Sequence, residues 1–281
     1  IQQAAKDFAQ NELLPGVIER DEAQKFPSEL VRKMGELGFM GMMVDEKYGG
    51  SGLDTLSYVI AMEELSKIDA SASVMVSVNN SLVCWGLATY GSEEQKQKYL
   101  TRLASGEIIG AFCLSEPEAG SDATSQKTTA IDKGDHYIVN GTKNWITNGN
   151  QAEVYLVIAQ TDREKGHHGI NALIVEKNME GFEIGPKENK LGIRGSDTHS
   201  LMFNDVKVPK ENRIGDDGFG FKFAMKTLAG GRIGIAAQAL GIAAGAYELA
   251  LKYSKERKAF GTEIANHQAI AFKLADMHTK I

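Results

Sequence analysis

The sequence predicts an α+β fold in three blocks: an all-helical N-terminal domain over 1–107, an antiparallel, β-barrel-like middle domain over 108–213, and a helical block over 214–281. Three observations carry this reading. Apolar residues recur at helical spacing through the first hundred or so positions. From Ile108 to Val208 the chain turns into short β-rich runs bounded by Gly, Asn and Asp, with no strand–helix–strand alternation and hence no Rossmann unit. From Phe219 helical spacing returns, now rich in alanine and glycine.

Ile1, Ala5, Phe8 and Leu13 mark a short amphipathic helix stopped by Pro15. Ser28 to Leu37 repeats the pattern through Leu30, Val31 and Met34 and ends at Gly38. The glycines of Lys47–Gly52 mark a loop, after which Asp54 caps the next helix. Ser71 to Tyr90 is apolar almost all round and reads as one buried helix. Ser92-Glu93-Glu94-Gln95 fits a capping box. In the middle block, Ile108 to Leu114 is strand-like, and Thr128–Ile131 and His136–Val139 form a hairpin about Lys133-Gly134-Asp135. Asn140-Gly141 reads as a turn into Lys143–Thr147. Val154–Ala159, Ile170–Val175 and Ser200–Val208 are further strands, the last closed by Pro209. Gly231 to Arg257 reads as a tightly packed bundle helix ended by Gly261. Asn266 opens another, with Ile270, Leu274, Met277 and Ile281 on its apolar face. Two helices alone cannot bury that face, so a partner subunit or further residues must cover it.

The 281 residues carry a net charge of −6 and no basic block, which argues against a nucleic-acid partner. No uninterrupted apolar run approaches the roughly 20 residues of a membrane span. The two cysteines, Cys84 and Cys113, lie in apolar surroundings and read as reduced, buried thiols in a reducing compartment. His167-His168 sits in a charged loop without a further ligand at metal spacing, so no metal site is expected.

Two patches invite chemistry. Phe112-Cys113-Leu114-Ser115-Glu116-Pro117-Glu118-Ala119-Gly120-Ser121-Asp122 leaves an apolar strand and breaks into hydroxyls, acids, a proline and a glycine. Such a strand end suits a planar polar ligand and its phosphates. In Asn144-Trp145-Ile146-Thr147-Asn148-Gly149 an aromatic and a hydroxyl stand two residues apart, and in a strand they point the same way.

With these motifs the chain resembles the acyl-CoA dehydrogenase family along essentially its whole length, from Phe8 to Ile281. The resemblance rests on Leu114-Ser115-Glu116-Pro117 through Gly120-Ser121-Asp122, then Asn140-Gly141-Thr142-Lys143-Asn144-Trp145-Ile146-Thr147. Lys190-Leu191-Gly192-Ile193-Arg194-Gly195-Ser196 and Glu256-Arg257-Lys258-Ala259-Phe260-Gly261 add to it. Val78-Asn79-Asn80-Ser81-Leu82 and Gly231-Arg232-Ile233-Gly234-Ile235-Ala236 are similar to the short-chain, butyryl-type branch. The resemblance implies FAD as cofactor and conversion of short-chain acyl-CoA thioesters to trans-2-enoyl-CoA. Electrons would pass to an electron-transferring flavoprotein from a homotetramer in the bacterial cytoplasm or the mitochondrial matrix. It makes 214–281 the first part of a four-helix-bundle domain.

Carried over residue by residue, the resemblance implies that Phe112, Leu114 and Ser115 meet the pyrimidine side of the flavin. Ser121 would face the cofactor and the CoA thioester arm, Trp145 and Ile146 the flavin, and Thr147 its N5. Arg257, Phe260 and Gln268 would reach the FAD of a neighbouring subunit, and Gly230, Gly231 and Arg232 the acyl-CoA. Arg232 within an apolar helix reads as a charge that needs a partner. The family's aspartate before this arginine is Ala229 here, and other branches' helix base is Ala224. The catalytic glutamate is expected beyond Ile281, and Glu116 belongs to the loop. A branched-chain acyl-CoA substrate is the nearest alternative. A silent FAD- or acyl-CoA-binding fragment is the alternative of another class.

Overall fold

The computed structural model describes residues 1–281. The N-terminal helices are α1 (Gln2–Phe8, continued by a π-turn Ala9–Leu13), α2 (Val17–Glu22), α3 (Ser28–Glu36), α4 (Thr55–Ser66) and α5 (Ala70–Ser77). They are followed by α6 (Trp85–Tyr90), α7 (Glu93–Gln95) and α8 (Thr101–Ala104). Asp54 caps α4 by accepting from the Ser57 N–H, and Ser92 and Gln95 close the expected capping box. The stretch expected as one helix from Ser71 to Tyr90 is α5 and α6 joined by a π-helical segment, Val78–Cys84. Its wider turn lets Asn79 and Asn80, polar residues in an apolar run, face inward and bond buried backbone.

The sheet comprises β1 (Gly110–Cys113), β2 (Thr129–Asp132), β3 (His136–Thr147), β4 (Val154–Gln160), β5 (Ile170–Glu176), β6 (Phe182–Lys187) and β7 (Thr198–Pro209), in the order β1-β4-β2-β3-β7-β6 with β5 on the other side of β4. It curls around its own core of Tyr137, Val139, Tyr155, Val157, Leu201 and Phe203. The other face of β4 (Val154, Leu156, Ile158) packs on the helices, so β4 is buried on both faces and is an unbroken apolar run. Two expectations are corrected here. The sheet is mixed, because β1 pairs with β4 in parallel. The long excursion through β2 and β3 before the chain reaches β4 supplies the crossover that a parallel pair needs. Asn140-Gly141 is a bulge inside the single strand β3 and not a turn. There Gly141 has φ +145°, and a Cβ would lie 2.5 Å from Thr128 Oγ1, so only glycine lets β3 bend over β2.

One helix, α9 (Gly220–Glu256), runs 37 residues and ends before Gly261. The unforeseen hairpin β8 (Lys258–Ala259) and β9 (Thr262–Glu263) follows, with Phe260 and Gly261 both at positive φ in its two-residue turn. The last helix is α10 (Gln268–Lys280). By length and composition alone α9 is long and apolar enough to cross a membrane. Its small-residue face is instead packed: a Cβ on Gly234 would meet Tyr58 Oη at 2.2 Å, on Gly241 the Glu63 carbonyl at 2.4 Å, and on Gly245 the Lys67 carbonyl at 2.2 Å. Flanking that face, Ile233, Ile235, Leu240, Ile242 and Leu249 are left exposed. Both cysteines are free and buried, and burial pushes their thiols up.

The contact of α9 on α4 yields a prediction with a sign. In an open helix Gly→Ala stabilises by up to about 1 kcal/mol. At Gly241 the new methyl meets main chain that cannot swing away, so Gly241→Ala is expected to destabilise by about 1–3 kcal/mol. Urea unfolding reads the sign, and a stabilised variant would refute the close packing.

Candidate active site

The end of β1 is organised by one buried cation. Lys143, on β3, is fully buried, and its Nζ donates to Glu116 Oε1 (2.6 Å), Gln126 Oε1 (2.5 Å) and the Leu114 carbonyl (3.1 Å). Three acceptors take the three ammonium protons, which is what a charge without water requires. Glu116 also accepts from the backbone N–H of Lys127 (2.5 Å) and Thr128 (3.2 Å). Burial pulls Lys143 down to about 8, so it is still mostly an ammonium at neutral pH. Burial alone would raise Glu116, but the Lys143 charge and the donated hydrogen bonds outweigh it and hold the carboxyl below its ordinary value. The loop from Leu114 to Thr128 is thereby tied to β3.

β1 pairs with β4 alone. The Gly110 N–H and C=O are bonded instead to side chains, Asn79 Oδ1 at 3.1 Å and Asn148 Nδ2 at 3.0 Å. Backbone groups of alternate residues share a strand edge, so Phe112 presents its N–H and C=O on that same unpaired edge and Leu114, just past the strand, its N–H, the Leu114 carbonyl being taken by Lys143 and Gln126. The Ser115 hydroxyl follows at its end, half-buried. The Asn144 N–H donates to the Ser115 carbonyl (2.8 Å), which puts Trp145 next to the strand end.

Trp145 sits in the second irregularity of β3, between Lys143 and Ile146, at φ +57° and 61% exposed. A tryptophan held in the left-handed region on the surface carries backbone strain and unburied apolar area together, a combination expected where a ligand lies. Half-buried Thr147 and exposed Trp145 flank Ile146, whose own side chain is in the sheet core. Ile146 therefore offers a ligand only its backbone. The edge of β1, the Ser115 hydroxyl and the Trp145 ring form a set of alternating donors and acceptors beside an aromatic, which fits the ring edge and face of a flavin.

The remaining residues lie elsewhere. Ser121 is on the exposed tip of the loop, beside the Asp122 turn that accepts from Thr124 N at 3.2 Å. On α9, Gly231 is buried against Leu82, whereas Gly230 is half-buried, with the Ser81 carbonyl 3.9 Å from where a Cβ would stand. Arg232 is exposed and not the buried charge expected of it, because it projects from the side of α9 that no helix covers. Arg257, Phe260 and Gln268 are exposed, Phe260 at 98%. Phe112 touches Phe223 near the start of α9, with ring centroids 6.4 Å apart. At 1.5 Å per residue Arg257 lies roughly 50 Å further along that helix. One chain does not bring the two groups together around one dinucleotide.

Lys143, Gln126, Asn79 and Asn148 are the residues that reading the sequence missed. Lys143 stood inside a quoted motif but on the alternation of Trp145 and Thr147. The bulge that reverses it to the buried side is invisible without the sheet.

Family models for the N-terminal, middle and C-terminal domains of acyl-CoA dehydrogenases match residues 1–107, 111–206 and 218–281. The chain is 52% identical over 281 residues to a short-chain specific acyl-CoA dehydrogenase of Clostridium acetobutylicum, covering all of this chain and 74% of that one. Among solved structures, the butyryl-CoA dehydrogenase of Megasphaera elsdenii superposes with a TM-score of 0.97 at 48% identity, over 99% of this chain and 74% of the other. A structure described as the electron transferring flavoprotein of Acidaminococcus fermentans gives 0.98 at 53%, over 99% and 73%. Mitochondrial short-chain enzymes match as well as bacterial ones.

Because Glu116 is held below its usual 4.5, its stabilisation is present in full above that pH and is lost as the pH falls through the lowered value. Glu116→Gln strands the Lys143 ammonium, so a loss of about 3–5 kcal/mol is expected at neutral pH. The variant should also lose part of the acid limb of the stability–pH curve. Equal acid limbs in both proteins would show that the pair does not carry the charge assigned to it.

Proposed function

The chain belongs to the acyl-CoA dehydrogenase family, and from that premise we propose that it holds FAD along the free edge of β1 and oxidises short-chain acyl-CoA thioesters to trans-2-enoyl-CoA. The observation that carries this is the exposed, strained Trp145 held one residue from the Ser115 contact, beside an unpaired strand edge. Phe112, through its backbone, and the Leu114 N–H hold the pyrimidine side, with the Ser115 hydroxyl beside them. Trp145 and the Ile146 backbone cover the ring, and Thr147 places its hydroxyl near N5. Bound FAD supplies the acceptor for the hydride from the β-carbon. An α-proton of a thioester is weakly acidic, so hydrogen bonds to the thioester oxygen must stabilise the developing enolate in a site closed to water. Ser121, Gly230, Gly231 and Arg232 belong to the acyl-CoA side. Glu116 does not take the α-proton, since its oxygens are committed to Lys143 and the loop. Ala224 has no group to take it, so the proton goes to the glutamate that the family resemblance implies outside residues 1–281.

Arg257, Phe260 and Gln268 serve the FAD of a neighbouring copy in a tetramer, a reading supported by their position at and beyond the far end of α9 from Phe112 and by the exposed apolar residues of that helix. An electron-transferring flavoprotein as oxidant is supported by the likeness to the Acidaminococcus structure.

Purified protein is expected to be yellow, and protein that also carries the catalytic glutamate is expected to bleach anaerobically with butyryl-CoA. Yellow protein with that glutamate present, which butyryl-CoA and branched short-chain thioesters fail to bleach, would overturn dehydrogenation and leave a binding protein. Peroxide formed with oxygen alone would replace the flavoprotein partner with an oxidase reaction. Trp145→Ala is expected to weaken FAD about tenfold, the upper end of one aromatic contact. Its apo-protein should melt unchanged, because the ring is on the surface; unchanged FAD affinity would remove Trp145 from the site.

A further inference from the structure

Both side chains of the Asn79-Asn80 pair in the π-helical segment are buried and fully bonded, but to different ends. Asn80 serves the helical domain alone: its Oδ1 accepts from Met42 N (2.8 Å) and its Nδ2 donates to the carbonyls of Phe39 (2.7 Å) and Val76 (3.0 Å). Asn79 Nδ2 likewise donates to Met40 O (2.9 Å) and Leu103 O (3.1 Å), but its Oδ1 accepts from Gly110 N, the first residue of β1. The carbonyl of the same glycine accepts from Asn148 Nδ2, on the turn just after Thr147. A Cβ on Gly110 would stand 2.5 Å from Val83 Cγ1, so the strand start rests directly on the π-helical segment.

We propose that Asn79 and Asn148 are positioning residues for the flavin: their amides grip the two sides of the Gly110 peptide and so set where the free edge of β1 lies. This rests on the reading that FAD lies along that edge. Phe112 is two residues beyond Gly110 on the strand and Leu114 follows just past its end, so an error at Gly110 moves the backbone groups offered to the ring. Asn148 joins this edge to the Trp145–Thr147 segment that covers the ring, keeping edge and cover in register. Asn148 takes φ +65° and leaves its Oδ1 buried without a partner, so the contact to Gly110 is the one hydrogen bond that its side chain makes.

The test uses the full chain with FAD and three variants: Asn79→Ala, Asn80→Ala and Asn148→Gly, glycine being at ease at φ +65°. Each is measured for melting temperature, FAD dissociation constant and the visible circular dichroism of the bound flavin. Asn79→Ala and Asn80→Ala lose similar numbers of buried hydrogen bonds and are expected to melt earlier by similar amounts. Only Asn79→Ala and Asn148→Gly are expected to weaken FAD, by about tenfold each, and to alter the dichroism. If Asn79→Ala does not fold, Asn148→Gly decides alone. FAD binding and dichroism as in the parent in Asn148→Gly, or an equal loss in Asn80→Ala, would overturn the proposal. A parent protein without FAD would overturn the reading beneath it, and is told apart because no variant is then needed.

Discussion

A lysine ammonium with no access to water is the constraint around which the middle of this molecule is arranged. Lys143 can be buried only if three acceptors converge on it, and these come from the end of β1, from Glu116 and from Gln126. Meeting that demand fixes the path of the loop from Leu114 to Thr128, since Glu116 also takes two of the loop's N–H groups. The acid that looks most reactive in the sequence is thereby spent on structure. The hydroxyls around it, at Ser115 and Ser121, stay available.

Strain is stored on the same strand. β3 bends twice, at Gly141 and at Trp145, and the two bends differ in kind. The first uses glycine to let the strand pass close to Thr128 and needs no ligand. The second holds a tryptophan at positive φ with most of its ring in solvent. No packing inside the chain repays that arrangement, which is the reason to place a ligand there.

The long helix α9 carries two kinds of surface. The glycine and alanine face permits main chain of α4 to approach to van der Waals contact, which locks the helical part against the strand end through Phe223 and Phe112. The aliphatic residues flanking it are left over. An apolar surface of that length, followed by an exposed hairpin with Phe260 at its tip, belongs against other protein. In the proposed reading, the separation of that hairpin from Phe112 assigns the ligand it would touch to a second copy.

Most of the architecture was legible in the sequence because it depends on local periodicity. Helices, caps at Asp54 and Ser92, and the strands from β2 to β5 and β7 follow from apolar spacing and turn residues, and the resemblance to the acyl-CoA dehydrogenases rests on contiguous motifs. What escaped was whatever depends on partners distant in sequence. The parallel pairing of β1 with β4, the bulge at Asn140-Gly141, the surface position of Arg232 and the weakly apolar strand β6 are set by neighbours that no local window contains. The same holds for Lys143, which is 27 residues from Glu116, and for Asn79, which is 31 from Gly110. The sequence determined which residues are chemically able to form the site. Only the tertiary structure decided which of them are consumed in holding it, because the cost of burying a charge or an amide is set by the partners that arrive from elsewhere in the chain.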